Sequence, residues 1–382
     1  MNTPDYDHSI VNLISSLAAA NGIDSDFYPP LEQLDRYRLS GRPVVLMVID
    51  GMGYQYLSQR PDSRLYSALA GRLTSVFPTT TATAVSALAL GVSAQQHSIT
   101  GWFTYLKELG CVAAPLPFVP RGGGSSFSRF GIQAKELLDR PALLPRFQAP
   151  VSVVLPQYIA QSSYTTALFE SLQRKPFDDL DSYFSQLTEA VFEPGNPFVW
   201  GYWTELDAMA HSCGINSPEV EAHFQNIDQG FGRFMDSIAG TDAIVIVTAD
   251  HGLIDTAQDR IVHMHQHPEL QQMLLLPLCG EPRAAYCYLR PGSERDFDRY
   301  ISEQLDACLQ VFDTDELVAQ GWFGRGALAP RFKERIGDRL LLPRSNWIVK
   351  DRLLQESAFD QIGVHGGLSD DELYVPMIVA ES

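Results

Sequence analysis

Two hydrophobic patterns alternate along this chain. Unbroken apolar runs that stop at a polar residue or glycine are separated by stretches whose apolar residues recur at helical spacing. The run VVLMVI at 44–49 has six apolar residues without a polar break and stops at Asp50, with Gly51 and Gly53 just beyond. Runs of this kind, rich in valine and isoleucine, suit strands buried on both faces of a parallel sheet. PFVWGY at 197–202, AIVIVT at 243–248, Val151–Leu155 and the last apolar stretch have the same character; further strands are expected at 72–77, 284–289 and 338–342. Helices are expected where Ile10, Leu13, Leu17 and Ala18 follow helical spacing, over Ala82–Leu90 and Leu180–Phe192, from Ser217-Pro218 to about Ile238, and near 294–308. Thr79 or Thr80 can cap the second of these and Gly91 can end it. Strands alternating with helices predict an α/β fold, a mostly parallel central sheet with helices on both faces.

The same reading divides the chain. Residues 1–40 form a helical extension and 41–382 a single large domain. Two insertions at about 101–195 and 280–350 form a cap over the sheet; the first is marked by recurrent prolines and by Gly122–Gly124. A net charge of −18 argues against a nucleic-acid polymer as a stable partner. No run reaches the roughly 18 apolar residues of a membrane span. Five cysteines without CxxC spacing support neither a disulfide framework nor a zinc-thiolate site. The first residues are acidic where a secretory signal would be basic, so a soluble, cytoplasmic protein is expected.

Candidate chemistry gathers at the ends of the apolar runs. Asp50 follows the first, Asp207 and His211 lie in LDAMAH after the run at 197–202, Asp250 and His251 lie in ADHG after 243–248, and His365 stands between glycines in GVHGG. In open α/β sheets ligands bind at the carboxyl ends of strands. Asp207 and His211 are four apart, so one helical turn brings them to the same face. Asp250 and His251 are adjacent and would point to opposite faces of a continuing strand, so the strand must end at Gly252 for both to serve one site. Three carboxylates and three imidazoles are enough for two zinc-type sites with open positions. Thr81 falls in the first turn of the helix over 82–90, where free N–H groups and the helix dipole favour negative charge.

IDGMG, FPTTTATA, LDAMAH, TADHG and VHGG, in this order, resemble the motifs of the alkaline phosphatase superfamily, and within it the nucleotide pyrophosphatase/phosphodiesterase family. The resemblance runs from about residue 42 to the C-terminus, outside the insertions. It implies an alkaline-phosphatase-like fold and two divalent metal ions, zinc by preference. It implies Thr81 as nucleophile, with Asp50, Asp250, His251 and Thr81 holding one metal and Asp207, His211 and His365 the other. The expected reaction is hydrolysis of a phosphodiester or pyrophosphate bond through a phosphothreonine, on a small phosphoester, with nucleotides as candidates. A polar contact to a phosphoryl oxygen is also implied three residues after the nucleophile, where this chain has Ala84.

Four further features carry no assigned chemistry. His263, His265 and His267 in VHMHQHPEL read as a solvated loop before Pro268. Trp102, Phe103 and Tyr105 read as core, Cys213 as packing and His97 as structural. The alternatives that keep the fold are a phosphomonoesterase or phosphonate hydrolase; the alternative outside enzymes is a metal-binding protein without turnover. Residues 75–100 contain no arginine to hold the extra charge of a monoester, which favours the diester reading.

Overall fold

In the computed structural model, which describes residues 2–25, 27–354, 356 and 361–382, Val44–Ile49 is the middle strand of a seven-stranded sheet. All six of its residues are buried. It pairs in parallel with Phe198–Trp203 on one side and Ile244–Thr248 on the other. Beyond Phe198–Trp203 come Val151–Pro156 and Gln173–Phe177, also parallel. Beyond Ile244–Thr248 comes Tyr374–Glu381, antiparallel, and then Leu69–Thr74. Helices cover the sheet, and Leu180–Val191 and Pro218–Ser237 pack against each other. This is the α/β architecture the hydrophobic pattern predicts.

Two departures have physical causes. The stretch 101–195, expected over the sheet, supplies two of its strands, 151–156 and 173–177. Gln173–Phe177 is an edge strand with only Phe177 fully buried, so QRKPF lacks the apolar run that marks a central strand. The strand expected at 72–77 lies at Leu69–Thr74, also an edge, where only Leu73 and Thr74 are buried.

The N-terminal helix, Ile10–Ala20, is capped by Ser9 and Asn12 and buries Ile10, Leu13, Ile14 and Leu17 in the main core. It packs on the helix Thr81–Leu90, which is buried all round from Ala82 onward and therefore shows no amphipathic stripe. Residues 279–343 build a separate antiparallel sheet ordered Cys279–Glu281, Ala284–Cys287, Arg339–Pro343, Leu309–Asp313. Its own aromatic core includes Tyr286, Trp322, Phe323 and Phe332.

One buried ion pair fastens this second unit to the first. Arg283 and Glu372 are 2% and 0% exposed and bond through Nη2–Oε2 at 2.8 Å and Nε–Oε1 at 3.1 Å. Arg283 Nη1 donates to the Trp347 carbonyl at 2.6 Å. Glu372 accepts from the Gly367 N–H at 2.8 Å and from Ser369 Oγ at 2.7 Å, and its backbone carbonyl accepts from the Gly252 N–H at 2.9 Å. Burial pushes the Glu372 carboxyl up, but the guanidinium and the hydrogen bonds outweigh it and hold the group below its ordinary range. A depressed folded pKa means the stabilisation is present above the unfolded value of 4.5 and is lost as pH falls through the folded value. Arg283→Met leaves a buried, unpaired carboxylate and should cost about 3–5 kcal/mol in urea unfolding at neutral pH, a deficit that shrinks in acid. An unchanged urea midpoint would show that the pair does not hold the two units together.

Candidate active site

Six of the seven strands run the same way, so their carboxyl ends share one edge of the sheet. Asp50 follows the middle strand directly. Phe198–Trp203 leads into the helix Glu205–Cys213, which carries Asp207 and His211 one turn apart. Ile244–Thr248 ends before Asp250 and His251. Leu69–Thr74 leads to the turn before Thr81, the first residue of the helix Thr81–Leu90. The antiparallel strand Tyr374–Glu381 starts at this same edge, which brings His365 into the group. The turn after the third strand has no room for a side chain, since a Cβ on Gly252 would lie 1.9 Å from the Asp371 carbonyl oxygen.

All seven residues singled out in the sequence meet here. Thr81 Oγ1 lies 3.2 Å from His251 Nε2, and that nitrogen is 3.4 Å from both Asp50 Oδ1 and Asp250 Oδ2. Asp50, Asp250 and His251 offer ligand atoms all within 4.8 Å of one another, the first set expected. In the second set, Asp207 and His365 come within that distance together with His251, whereas His211 Nε2 sits 3.1 Å from Asp207 Oδ2. The rings of His251 and His365 stack at 3.8 Å, and His211 is 5.2 Å from His365.

The surrounding hydrogen bonds orient every ligand atom inward. Nδ1 of His211, His251 and His365 faces the carbonyls of Gly363, Gly252 and Thr79 at 2.7, 3.1 and 3.1 Å. A carbonyl only accepts, so each Nδ1 carries a proton; Nε2 of His251 and of His365 turns to the site, while Nε2 of His211 faces Asp207 Oδ2. Tyr202 donates its hydroxyl to Asp50 Oδ2, and the Gly51 and His251 N–H groups donate to Asp250 Oδ1. The facing oxygens, Asp50 Oδ1, Asp207 Oδ1 and Asp250 Oδ2, are buried without a hydrogen-bond partner. Three orphaned carboxylate oxygens among inward-facing imidazole lone pairs are the donor set of a divalent-metal centre, so these residues fit a metal pair.

The electrostatics agree with that fit. Burial, with Asp250 and Asp207 nearby, pushes the Asp50 carboxyl well up, and burial also raises Asp250. Asp207 goes the other way: burial opposes its ionisation, but His211 outweighs it. His211 is raised to about 9 by Asp207 against the pull of burial, while burial and His251 push His365 well down.

A cavity of roughly 740 Å³ opens from Thr81, Asp207, His211 and His365. Several features set aside in the sequence line its wall. Trp102 is 39% exposed there, and Phe103 carries the Arg121 guanidinium 4.3 Å from its ring centre. Tyr105 packs edge-on to Tyr288, and Phe103 and Tyr105 both pack partly buried against the second core, so the core reading holds for these two and not for the exposed Trp102. His263 ends the strand Ile261–His263, His265 lies in the turn after it, and both face the cavity with rings 5.3 Å apart. His267 instead bonds Tyr300, so the run is neither one face of a strand nor a solvated loop. Cys213 is exposed rather than packed. Ala84 is buried in the main core, and its methyl group offers no polar contact to a phosphoryl oxygen. His97 is buried, its Nδ1 accepts from the Ile99 N–H at 3.1 Å, and burial lowers it to about 3.

Sequence reasoning missed Tyr202 and Glu281. Tyr202 did carry a signal, because a phenol in a strand buried on both faces needs a partner for its hydroxyl. Glu281 carried none: its partners Thr80 and Trp102 are remote in the chain and belong to the other unit.

A raised folded pKa means that ionised Asp50 opposes folding as pH rises above the unfolded value of 3.8. In chelator-treated protein near neutral pH, Asp50→Asn should therefore raise Tm by about 2 °C or more, while reducing the Tm gain on adding zinc. A lower Tm in the metal-free variant would contradict this account of the charge cluster.

A profile of the type I phosphodiesterase / nucleotide pyrophosphatase family matches residues 127–368, a segment that includes Asp207, His211, Asp250, His251 and His365. No curated protein sequence matches the chain. Among solved structures, murine ectonucleotide pyrophosphatase / phosphodiesterase 5 superposes with a TM-score of 0.65 at 16% identity, over 88% of this chain and 87% of that one. An inactive threonine-to-alanine variant of that protein, in complex with AMP, gives 0.64 at 17%, over 88% and 87%. Phosphonoacetate hydrolase from Sinorhizobium meliloti 1021, in complex with phosphonoacetate, gives 0.65 at 17%, over 88% and 89%.

Proposed function

The chain belongs to the type I phosphodiesterase / nucleotide pyrophosphatase family of the alkaline phosphatase superfamily, and from that premise we propose that it is a two-metal hydrolase of phosphodiester or pyrophosphate bonds, acting through a phosphothreonine on Thr81. The observation that carries this reading is Thr81 Oγ1 at a helix N-terminus, 3.2 Å from His251 Nε2 and beside three orphaned aspartate oxygens.

Asp50, Asp250, His251 and Thr81 would hold one ion, and Asp207, His211 and His365 the other; zinc suits this mixture of carboxylate and imidazole. Such ions, when bound, supply Lewis acidity that lowers the pKa of a hydroxyl or water and offsets charge on a leaving oxygen. The rest is the work of the chain. The N-terminal turn of the helix favours the alkoxide of Thr81 over its hydroxyl. Thr81 Oγ1 attacks phosphorus, the bond to the leaving group breaks in line, and water then cleaves the Thr81 ester and restores the hydroxyl. Tyr202, the Gly51 and His251 N–H groups and the three backbone carbonyls keep the ligands from rotating while charge moves.

A small phosphoester fits the cavity, and the exposed Trp102 beside Phe103 suits an aromatic group such as a nucleobase. Diesters are preferred in this reading, because acidic side chains crowd the site and residues 75–100 offer no arginine. We take 41–382 as the catalytic domain. All five cysteines are free, which supports a reducing, cytoplasmic setting; among the described residues no helix is long and apolar enough to cross a membrane.

The test is kcat/KM of zinc-loaded protein on p-nitrophenyl phosphate, its bis ester and a nucleotide p-nitrophenyl ester. Diesters should be preferred, and Thr81→Ala should lower kcat on the order of 10³-fold or more. Zinc content should stay within reach of wild type. Preference for the monoester, or for phosphonoacetate, would replace the diester assignment, and full activity in Thr81→Ala would remove the covalent intermediate.

A further inference from the structure

We propose that Glu281 sets the charge the active site accepts: a carboxylate fixed beside the nucleophile turn disfavours a second negative charge on phosphorus and so selects diester monoanions over monoester dianions. This rests on the hydrolase reading above and names what would give that site its substrate class.

Glu281 comes from the second unit, at the end of Cys279–Glu281, and reaches into the cavity that Thr81, Asp207, His211 and His365 share. It is 8% exposed. Its Oε1 accepts from Thr80 Oγ1 at 2.5 Å and from the Trp102 N–H at 2.7 Å. Thr80 is the N-cap of the helix that begins with Thr81; its side chain makes no cap hydrogen bond, and its hydroxyl donates to Glu281. The other end of the side chain is confined as well, since a Cβ on Gly366 would lie 2.7 Å from Glu281 Cβ. The carboxylate is thus fixed by two hydrogen bonds to one of its oxygens. Among the described residues it forms no salt bridge, and the charged groups that influence it are His211 and Asp207. Burial pushes its carboxyl up to about 7 against the hydrogen bonds from Thr80 and Trp102, so above that pH it adds negative charge at the mouth of a centre that already holds three aspartates. A dianionic phosphoryl group meets about twice the repulsion that a monoanionic one does.

Binding separates this from turnover. In zinc-loaded Thr81→Ala protein at roughly pH 8, where phenyl phosphate is a dianion, phenyl phosphate and diphenyl phosphate are titrated by calorimetry with Glu281 or with Glu281→Gln. Glutamine can still accept from Thr80 and Trp102, so the turn is kept and only the charge goes. Glu281→Gln should tighten phenyl phosphate about tenfold or more and diphenyl phosphate about threefold at most. Glu281→Ala, which also drops both hydrogen bonds, should show the same loss of discrimination. Equal changes for the two esters, no change, or no binding of either ester to any of these proteins would overturn the proposal. Discriminating binding in Thr81→Ala proteins alongside a wild type that hydrolyses neither ester would instead overturn the hydrolase reading and leave Glu281 as assigned.

Discussion

Three aspartates buried in one place are the constraint around which this structure is arranged. Asp50, Asp207 and Asp250 each have one oxygen occupied by the protein and one left over, and the leftover oxygens converge. Buried like charges oppose folding unless something offsets them. The protein supplies only part of that offset, through Tyr202, two backbone N–H groups and His211. The remainder fits a pair of cations, and Nδ1–carbonyl bonds fix the orientation of the three imidazoles around that place. What looks locally like an unfavourable cluster is therefore a preorganised one.

A second buried charge, Glu372, is solved internally. Arg283 arrives from the antiparallel unit and neutralises it, and Glu372 in turn holds the Gly367 amide beside His365 and, through its own carbonyl, the Gly252 amide beside His251. One ion pair thus reaches two ligand loops and both structural units. The contrast with the aspartates is instructive. A carboxylate with a guanidinium partner becomes a structural fastener, whereas carboxylates without one become a site.

The antiparallel unit does more than cover the sheet edge. It brings Glu281 to the Thr80–Thr81 turn and, with Phe103 and Arg121 from the preceding segment, walls the cavity. The fold follows from the parallel sheet, and the family's motifs lie at its strand ends. The features that would choose among esters come from segments with no such motif. Each of the two solved structures shares this fold at only 16–17% identity to the chain.

The chain's sequence alone determined the central strands, the helix that begins at Thr81 and the seven residues that meet at the sheet edge. Each was legible because its signal is local: an apolar run, a cap, a ligand type next to a turn glycine. Edge strands were less legible, since Gln173–Phe177 buries too little to need an apolar run. Only the tertiary structure decided which imidazole approaches which carboxylate, with His251 lying between both aspartate sets and His211 drawn to Asp207. It alone decided that Ala84 faces the core, that Trp102 and His265 face the cavity, and that Glu281 reaches Thr80 across 201 positions of sequence. Local periodicity records which face of an element is apolar, but it carries no information about which remote segment will be packed against that face. Pairings across the chain are set by packing, and packing is decided only when the whole chain has folded.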